Sequence, residues 1–514
     1  MSRLKARFRV PRPAAGRAGS AFAALIATLI VAVAAVAICF AGDARAAPDA
    51  ATPGPATCPT PKAAAATTAR GDVFNPALTT ARGDVFNPAR PVNQRRAVTL
   101  IFLPGPIRTP APELAADLER LPGFAVGLFS PTIGRYSPAQ MMLDISQGSR
   151  AASSLYRPVS PLAPGLIVDP RTAAARFKDW NALIARADAA PADLHPGLLG
   201  CAVEQAGDYM AWTGADGGST ETAIAAVAGG NGIRRADIVP SNRLVASIER
   251  LQREFAVVVA ELPAGGFGLG AIRRLAADQP RRMLIVVQAP PNPARTRLLS
   301  LGVRGIGDDG GVRSASTRRD GLVAATDITA TIIERIDAAR PSTMQGRPIE
   351  PAARTSAGDL RSMSARLELI AGRRLPFGKD VLLLFALLLA GVLAVGRISG
   401  RHDEPAKRMQ RLVGLSLLWL PALLLVTAAL RPSRAVEVDV AVFGSLALAI
   451  GTDRLIRWPR APWLPVAVVI AAHGIDFALL GSRFTGQSLL GSNPLYGARF
   501  FGAGNELEAV LTVS

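Results

Sequence analysis

Five apolar runs, at residues 18–42, 381–396, 412–430, 435–452 and about 461–481, constrain this chain more than any other feature. A helix needs about 20 residues to cross the hydrocarbon of a bilayer, and each run is near that length. The hydrophobic content of 49% and mean hydropathy of +0.27 are concentrated in them, not spread along the chain. The first run has 25 uncharged residues and comes after Arg3, Lys5, Arg7, Arg9, Arg12 and Arg17. A basic flank before an apolar core marks a signal peptide or a signal anchor, and Ala44-Arg45-Ala46 offers a cleavage site. Either way, the residues beyond this run are expected to be exported.

The loops between the later runs test that topology. With residues 47–379 outside, the loop 397–411 (RISGRHDEPAKRMQR) faces the cytoplasm, and it is rich in Arg and Lys. The next inside loop carries Arg454, Arg457 and Arg460, and residues 482–506 return to the outer face. Two Arg in the short outer link 431–434 dissent mildly. Residues 507–514 read as the opening of one more apolar run, so we expect further spans beyond Ser514. This is the pattern of a multi-pass protein of a bacterial plasma membrane.

The formal charge of +19 invites a nucleic-acid reading, but only five of the 58 basic residues are lysine. That bias, beside abundant Ala, Gly and Pro, reflects a GC-rich genome, and many Arg flank apolar runs where topology explains them. No aromatic–basic interleaving suits base stacking, so no nucleic-acid partner is expected. Of Cys39, Cys58 and Cys201, only the last two could pair outside the membrane, and no metal-type spacing exists. Residues 47–96 form an Ala/Pro/Thr-rich linker in which TTARGDVFNPAL is succeeded by TTARGDVFNPAR. The two Arg-Gly-Asp triplets invite an adhesion reading, but a duplicated linker unit is the simpler one.

From residue 97 the pattern changes. AVTLIFLP (97–104), FAVGLFSP (124–131), YMAWTG (209–214), FAVVVAEL (255–262) and RMLIVVQAP (282–290) are short apolar runs that read as buried strands. Helical stretches such as 242–254 and 269–279 separate them. Strands apolar on both faces and alternating with helices predict an α/β fold, a mostly parallel sheet flanked by helices. Ligands of such folds sit at the carboxyl ends of the strands. The domains expected are thus 1–46 signal, 47–96 linker, 97–350 α/β, 351–379 juxtamembrane linker and 380–514 an all-α transmembrane bundle.

Two segments carry a resemblance. TRRDGLVAATDITATIIERIDAARPSTMQGRPI (317–349) is similar to the closing segment of alkaline-phosphatase-superfamily domains, and YSPAQMMLDISQGSRA (136–151) to their nucleophile region. With GARFFGAGNE (497–506), the layout resembles bacterial multi-span membrane proteins that carry a phosphatase-like exported domain. The resemblance implies an alkaline-phosphatase-like fold, with Ser137 at the nucleophile position and Asp216 and Asp327 as candidate acidic partners. It also implies a divalent metal (Zn, Mn or Mg) wherever the chemistry survives.

The superfamily's two-metal site needs several carboxylates and usually three His. The chain has three His in all; His402 falls in the cytoplasmic loop and His473 in a span, leaving His195. The first-strand Asp is replaced by residues 103–106, Leu-Pro-Gly-Pro. Bland readings also compete: Asp327 as a helix cap, Asp216 in a Gly-rich turn, Asp144 as a buried hydrogen-bonded carboxylate, His195 as a surface loop residue, and Asp308-Asp309 as a solvated turn. The reading adopted is a domain that keeps the fold without the metal centre, with no cofactor expected.

A second candidate site lies at the outer mouth of the bundle. His473 and Asp476 share one helix face, and topology brings Arg499, Asn505 and Glu506 near them. Interfacial polar residues with snorkelling Arg are the alternative. The function expected is envelope binding or scaffolding, with the bilayer and an envelope lipid or glycan as partners. The alternatives are a metal-dependent phosphoryl or sulfuryl transferase or hydrolase, and a transporter or envelope-polymer assembly protein working from the bundle mouth.

Overall fold

The computed structural model describes residues 92–93, 96–104, 113–135, 137–159, 165–228, 232–290, 297–307, 310–398, 404–502, 504 and 507. The signal segment, most of the 47–96 linker with its repeats, Cys39, Cys58, Asp308, Asp309, His402, Asn505 and Glu506 lie outside the described residues.

The α/β part begins with β1 (Val98–Pro104), α1 (Glu113–Glu119), β2 (Phe124–Ser130) and α2 (Pro138–Gln147). Next come β3 (Leu166–Val168), β4 (Ala175–Phe177), α3 (Trp180–Asp188), α4 (Leu198–Gln205), β5 (Met210–Ala215), β6 (Gly232–Ile233) and β7 (Arg235–Val239). It continues through α5 (Leu244–Glu254), β8 (Val257–Glu261), α6 (Gly266–Asp278), β9 (Met283–Ala289) and β10 (Leu299–Arg304). It closes with β11 (Gly311–Ser314), β12 (Leu322–Ala324), α7 (Ala325–Arg335) and β13 (Ile349–Ala352).

Ten strands form one sheet in the order β13-β11-β2-β10-β9-β1-β8-β5-β7, with β12 also pairing β2. β1 is parallel to both β8 and β9, and β5 to both β7 and β8. Only β10 and β13 run against the common direction. A small antiparallel sheet of β3, β4 and β6 lies apart from it. The central strands are buried on both faces, as their continuous apolar runs require: β1 is covered up to its last residue and β2 throughout. Helices cover each face by their apolar stripes. On α5, for example, Leu244, Ile248 and Leu251 are fully buried at helical spacing.

Residues 351–379, expected to be a juxtamembrane linker, take regular secondary structure over most of their length. The first of them finish β13, and helix α8 (Ala357–Ile398) starts soon after. At 1.5 Å per residue its 42 residues extend about 63 Å, twice the thickness of a bilayer core. The first turns supply the surplus. Leu360 and Leu367 lie in the core under the sheet with Leu118 and Leu322, whereas Ile370, Phe377, Val381 and Phe385 belong to a second core among the apolar helices.

Those helices are α9 (Glu404–Leu430), α10 (Arg434–Asp439) continued through a π turn into α11 (Ser445–Leu455), and α12 (Trp463–Leu479). Among the described residues, three stretches are long and apolar enough to cross a membrane: Ala357–Ala394, Lys407–Leu430 and Arg434–Leu455. The run expected at 461–481 appears as a shorter apolar helix of 17 residues. Leu383 and Leu387 are 62% and 60% exposed on α8, and such uncovered leucines suit contact with lipid tails. The chain is therefore an α/β domain joined to helices that could span a membrane.

Because one helix belongs to both cores, trimming its buried base should loosen the whole molecule. Leu360→Ala is expected to cost about 2–5 kcal/mol, read as a lowered unfolding midpoint of the full chain in detergent.

Candidate functional site

The carboxyl ends of parallel strands are where an α/β sheet presents its ligand crevice. Here β2 and β12 end side by side, with Ala324 paired to Ser130. Beyond Ser130 the chain leads to α2, and from Ala324 it enters α7 directly.

Ser137 is the N-cap of α2. Its hydroxyl accepts the Gln140 N–H at 3.2 Å, satisfying one of the helix's orphan donors. Asp327 sits in the first turn of α7 and is fully buried. One carboxylate oxygen accepts Ser316 Oγ at 2.6 Å and Arg347 N at 2.9 Å; the other accepts Ala324 N at 2.8 Å. Burial raises its pKa, and these hydrogen bonds oppose the rise. Asp327 therefore ties three chain segments together, a wider role than the helix cap expected of it.

Asp216 stands elsewhere. It is exposed just beyond β5, five strand intervals from β2, or roughly 24 Å at the usual spacing. His195 pairs with Asp193 at 2.7 Å in the loop before α4. Ser137, Asp216 and Asp327 are not gathered around one point, and no group of three or more His, Cys, Asp or Glu is gathered among the described residues. The side chains described do not fit a two-metal centre of the phosphatase type.

Two other carboxylates are raised to about 7. Asp144, on α2, is fully buried, and burial raises its pKa to about 7. Its Oδ1 accepts Gln140 Nε2 at 2.8 Å and Gln147 Nε2 at 3.1 Å. Arg186 extends the network, donating to Gln140 Oε1 at 2.8 Å and to the carbonyls of Pro158 and Val159, while its guanidinium lies 3.8 Å above the Tyr156 ring. Glu261, at the carboxyl end of β8, is raised to about 7 by burial. Thr222 Oγ1 donates to it at 2.9 Å and itself receives Trp212 Nε1 at the same distance. Nothing in FAVVVAEL distinguishes that Glu from any strand-terminal residue.

A segment from the far end of the chain closes the ends of β2 and β12. It starts at α12, where Asp476 accepts the N–H groups of Phe484 at 3.0 Å and Thr485 at 2.7 Å. Arg374, on α8, donates to the carbonyls of Gly491 and Ser492, both at 2.8 Å. Arg319 donates to Gly486 O and Ser492 Oγ, both at 3.2 Å. Ser130 Oγ then donates to Pro494 O at 3.3 Å, and Gly134 N to Tyr496 O at 2.8 Å. Leu495 and Phe500 are buried in the core under the sheet.

Gly497 shows why this fit is close. A Cβ there would stand 2.3 Å from Thr132 O, 2.9 Å from Ser130 Oγ and 3.1 Å from Arg150 Nη1. Its φ of +69° also favours glycine. Beside it, Arg150 lies 4.6 Å from the Phe500 ring centre and Arg318 4.3 Å from that of Phe501. Arg150 Nη1 is buried and has no hydrogen-bond partner. Burial lowers the Arg150 pKa, while the charges of Asp327 and Asp144 act the other way.

Of the residues expected at the bundle mouth, two lie on α12 and Arg499 lies in the closing segment. His473 and Asp476 share a face of α12 and are both buried. His473 Nδ1 is 2.9 Å from Val469 O, and Asp476 anchors the closing segment. Arg499 is half-buried within that segment. Arg150, Arg319 and Arg374 went unnoticed in the sequence, although Arg150 and Arg319 lie inside the two segments that carry the phosphatase resemblance. No protein-family model matches the chain, and no curated protein matches it significantly.

This geometry sets two expected outcomes. Below about pH 4 Asp144 holds its proton folded or unfolded; between about 4 and 7 only the folded chain does, so stability falls as pH rises through that window. Asp144→Asn keeps the acceptor and removes the titration, and is expected to gain on the order of 2–4 kcal/mol over the parent between pH 4 and 8, measured by unfolding across that range. Gly497→Ala should weaken closure by about 1–3 kcal/mol, seen as faster hydrogen exchange of the Gly134 amide.

Proposed function

We propose that this is a multi-pass protein of a bacterial plasma membrane whose α/β domain is exported, phosphatase-like in fold and non-catalytic, acting in envelope binding or scaffolding. One observation carries the reading: the strand ends of β2 and β12, where such a fold would work on a substrate, are covered by the chain's own 484–501 segment. The mostly parallel sheet supports the resemblance in fold. The commitments of Ser137 and Asp327 to local hydrogen bonds, and the distance to Asp216, support the absence of turnover. Arginines that crowd the junction between domain and helices favour a phosphate-bearing lipid as the partner, since guanidinium forks match phosphate oxygens.

Purified full-length protein, supplied with Zn, Mn or Mg, is expected to hydrolyse aryl phosphomonoesters and phosphodiesters no faster than buffer, with Ser137→Ala indistinguishable from the parent. Turnover that disappears in Ser137→Ala would restore the enzyme reading.

A further inference from the structure

Three of the guanidinium groups that meet the closing segment through neutral partners belong to Arg150, Arg318 and Arg319. Arg319 is spent on a backbone carbonyl and a hydroxyl, and Arg150 and Arg318 lie over the rings of Phe500 and Phe501. Burial pushes the Arg319 pKa down to about 10, and the neighbouring Arg374 pushes in the same direction. Arg150 Nη1, although the charges of Asp327 and Asp144 reach it, is a buried charged donor left without a hydrogen-bond partner, which costs more than a neutral one.

The partners that are satisfied have one chemistry. Ser130 Oγ, the Gly134 N–H, Arg319 Nη2 and Arg374 Nη2 all donate to backbone carbonyl oxygens of residues 486–496. A row of carbonyl oxygens presented to hydroxyl, amide and guanidinium donors resembles what the oxygens of a phosphoryl group would present, without the charge. Glycine at 497 allows that backbone to enter the notch beside Arg150, and a Cβ on Gly486 would stand 2.4 Å from Arg319 Nη2. At Gly497 the close atom is the Thr132 carbonyl, so that approach does not tolerate a side chain, whereas at Gly486 the Arg319 side chain would have to shift.

We propose that Ser130, Gly134, Arg150, Arg318 and Arg319 form an anion-binding site for a phosphate or diphosphate group, and that the 484–501 segment covers it as an internal competitor. This deepens the binding reading above and rests on it. An incoming anion takes over the donors held by Pro494 O and Tyr496 O and supplies the partner that Arg150 Nη1 lacks. The segment is displaced in exchange. Its root on α12 stays tied by Asp476, so displacement is a local lifting of residues 493–501. Arg431, at the end of α9, donates to Gln487 of the same segment, which sets the site beside the ends of the apolar helices. A phosphate on a lipid headgroup and one free in solution present the same chemistry there.

The test uses full-length protein in nanodiscs of phosphatidylcholine, titrated with inorganic diphosphate by calorimetry, with hydrogen exchange monitored over residues 484–501. A second arm replaces the titrant with phosphatidic acid in the disc. We expect saturable binding in at least one arm, faster exchange over 493–501 on binding, and affinity roughly tenfold or more weaker in Arg150→Lys and Arg319→Gln. Arg150→Lys retains the charge and removes only the fork, so it guards against a misfolded Arg150→Ala. A response confined to phosphatidic acid supports the site with a lipid source, and one confined to diphosphate supports it with a soluble source. Absence of binding in both arms, or equal binding by the parent and both variants, overturns the site and leaves the non-catalytic reading standing. Diphosphate that binds and is hydrolysed, with hydrolysis lost in Ser137→Ala, keeps the site and overturns that reading instead.

Discussion

Helix α8 is shared between two hydrophobic cores, and the placement of everything else depends on that. Leu360 and Leu367 are buried beneath the sheet, and further along the same helix Phe377 and Val381 are buried among the apolar helices. The helix runs unbroken through Pro376 from one core to the other, so moving the sheet relative to the bundle would bend it there or expose one set or the other. Burying a large apolar side chain is worth about 1.5–3 kcal/mol, so these few residues resist separation strongly. Arg374 stands between the two sets, and its guanidinium holds the carbonyls of Gly491 and Ser492. The helix that joins the two parts also positions the segment that closes the strand ends.

A common rule at this junction is that buried carboxylates hold chain and guanidiniums are given to carbonyls or rings, although Glu437 pairs with Arg373 at 3.0 Å. Asp476 receives two backbone N–H groups and Asp327 two backbone N–H groups and a hydroxyl. A carboxylate so engaged has little capacity left for a metal or a proton relay. Elsewhere in the sheet Arg282 obeys the same rule. It is fully buried and donates to the carbonyls of Val98, Gln252, Phe255 and Ala256. Arg150 has one buried nitrogen left over, as do Arg250, Arg335 and Arg366.

The candidate catalytic residues show how local pattern and tertiary arrangement diverge. Ser137 before Pro138 is legible as a helix start, and it is one. Asp144 among apolar residues was legible as a buried, hydrogen-bonded carboxylate, and its two glutamine partners lie within about one helical turn of it. Asp216 and Asp327 belong to different parts of the sheet because β5 and β12 are separated by strands from across the whole domain. No spacing along the chain encodes that separation. Glu261 was invisible for a related reason: its perturbation involves Thr222 and Glu221, some forty positions away in sequence.

The amino-acid sequence by itself determined the alternation of buried strands and amphipathic helices, the mostly parallel sheet and the apolar helices. Each of these is set by hydrophobic periodicity and by where charges interrupt it, which are local properties. Tertiary structure alone decided that residues 351–379 link the two parts as the end of a strand and a continuous helix, because Leu360 and Leu367 are buried only by packing beneath the sheet. It also decided that residues 484–501 cover the ends of β2 and β12. That contact pairs backbone carbonyls with arginines more than a hundred residues away. Carbonyl groups are common to every residue, so no side-chain pattern announces where they will be received.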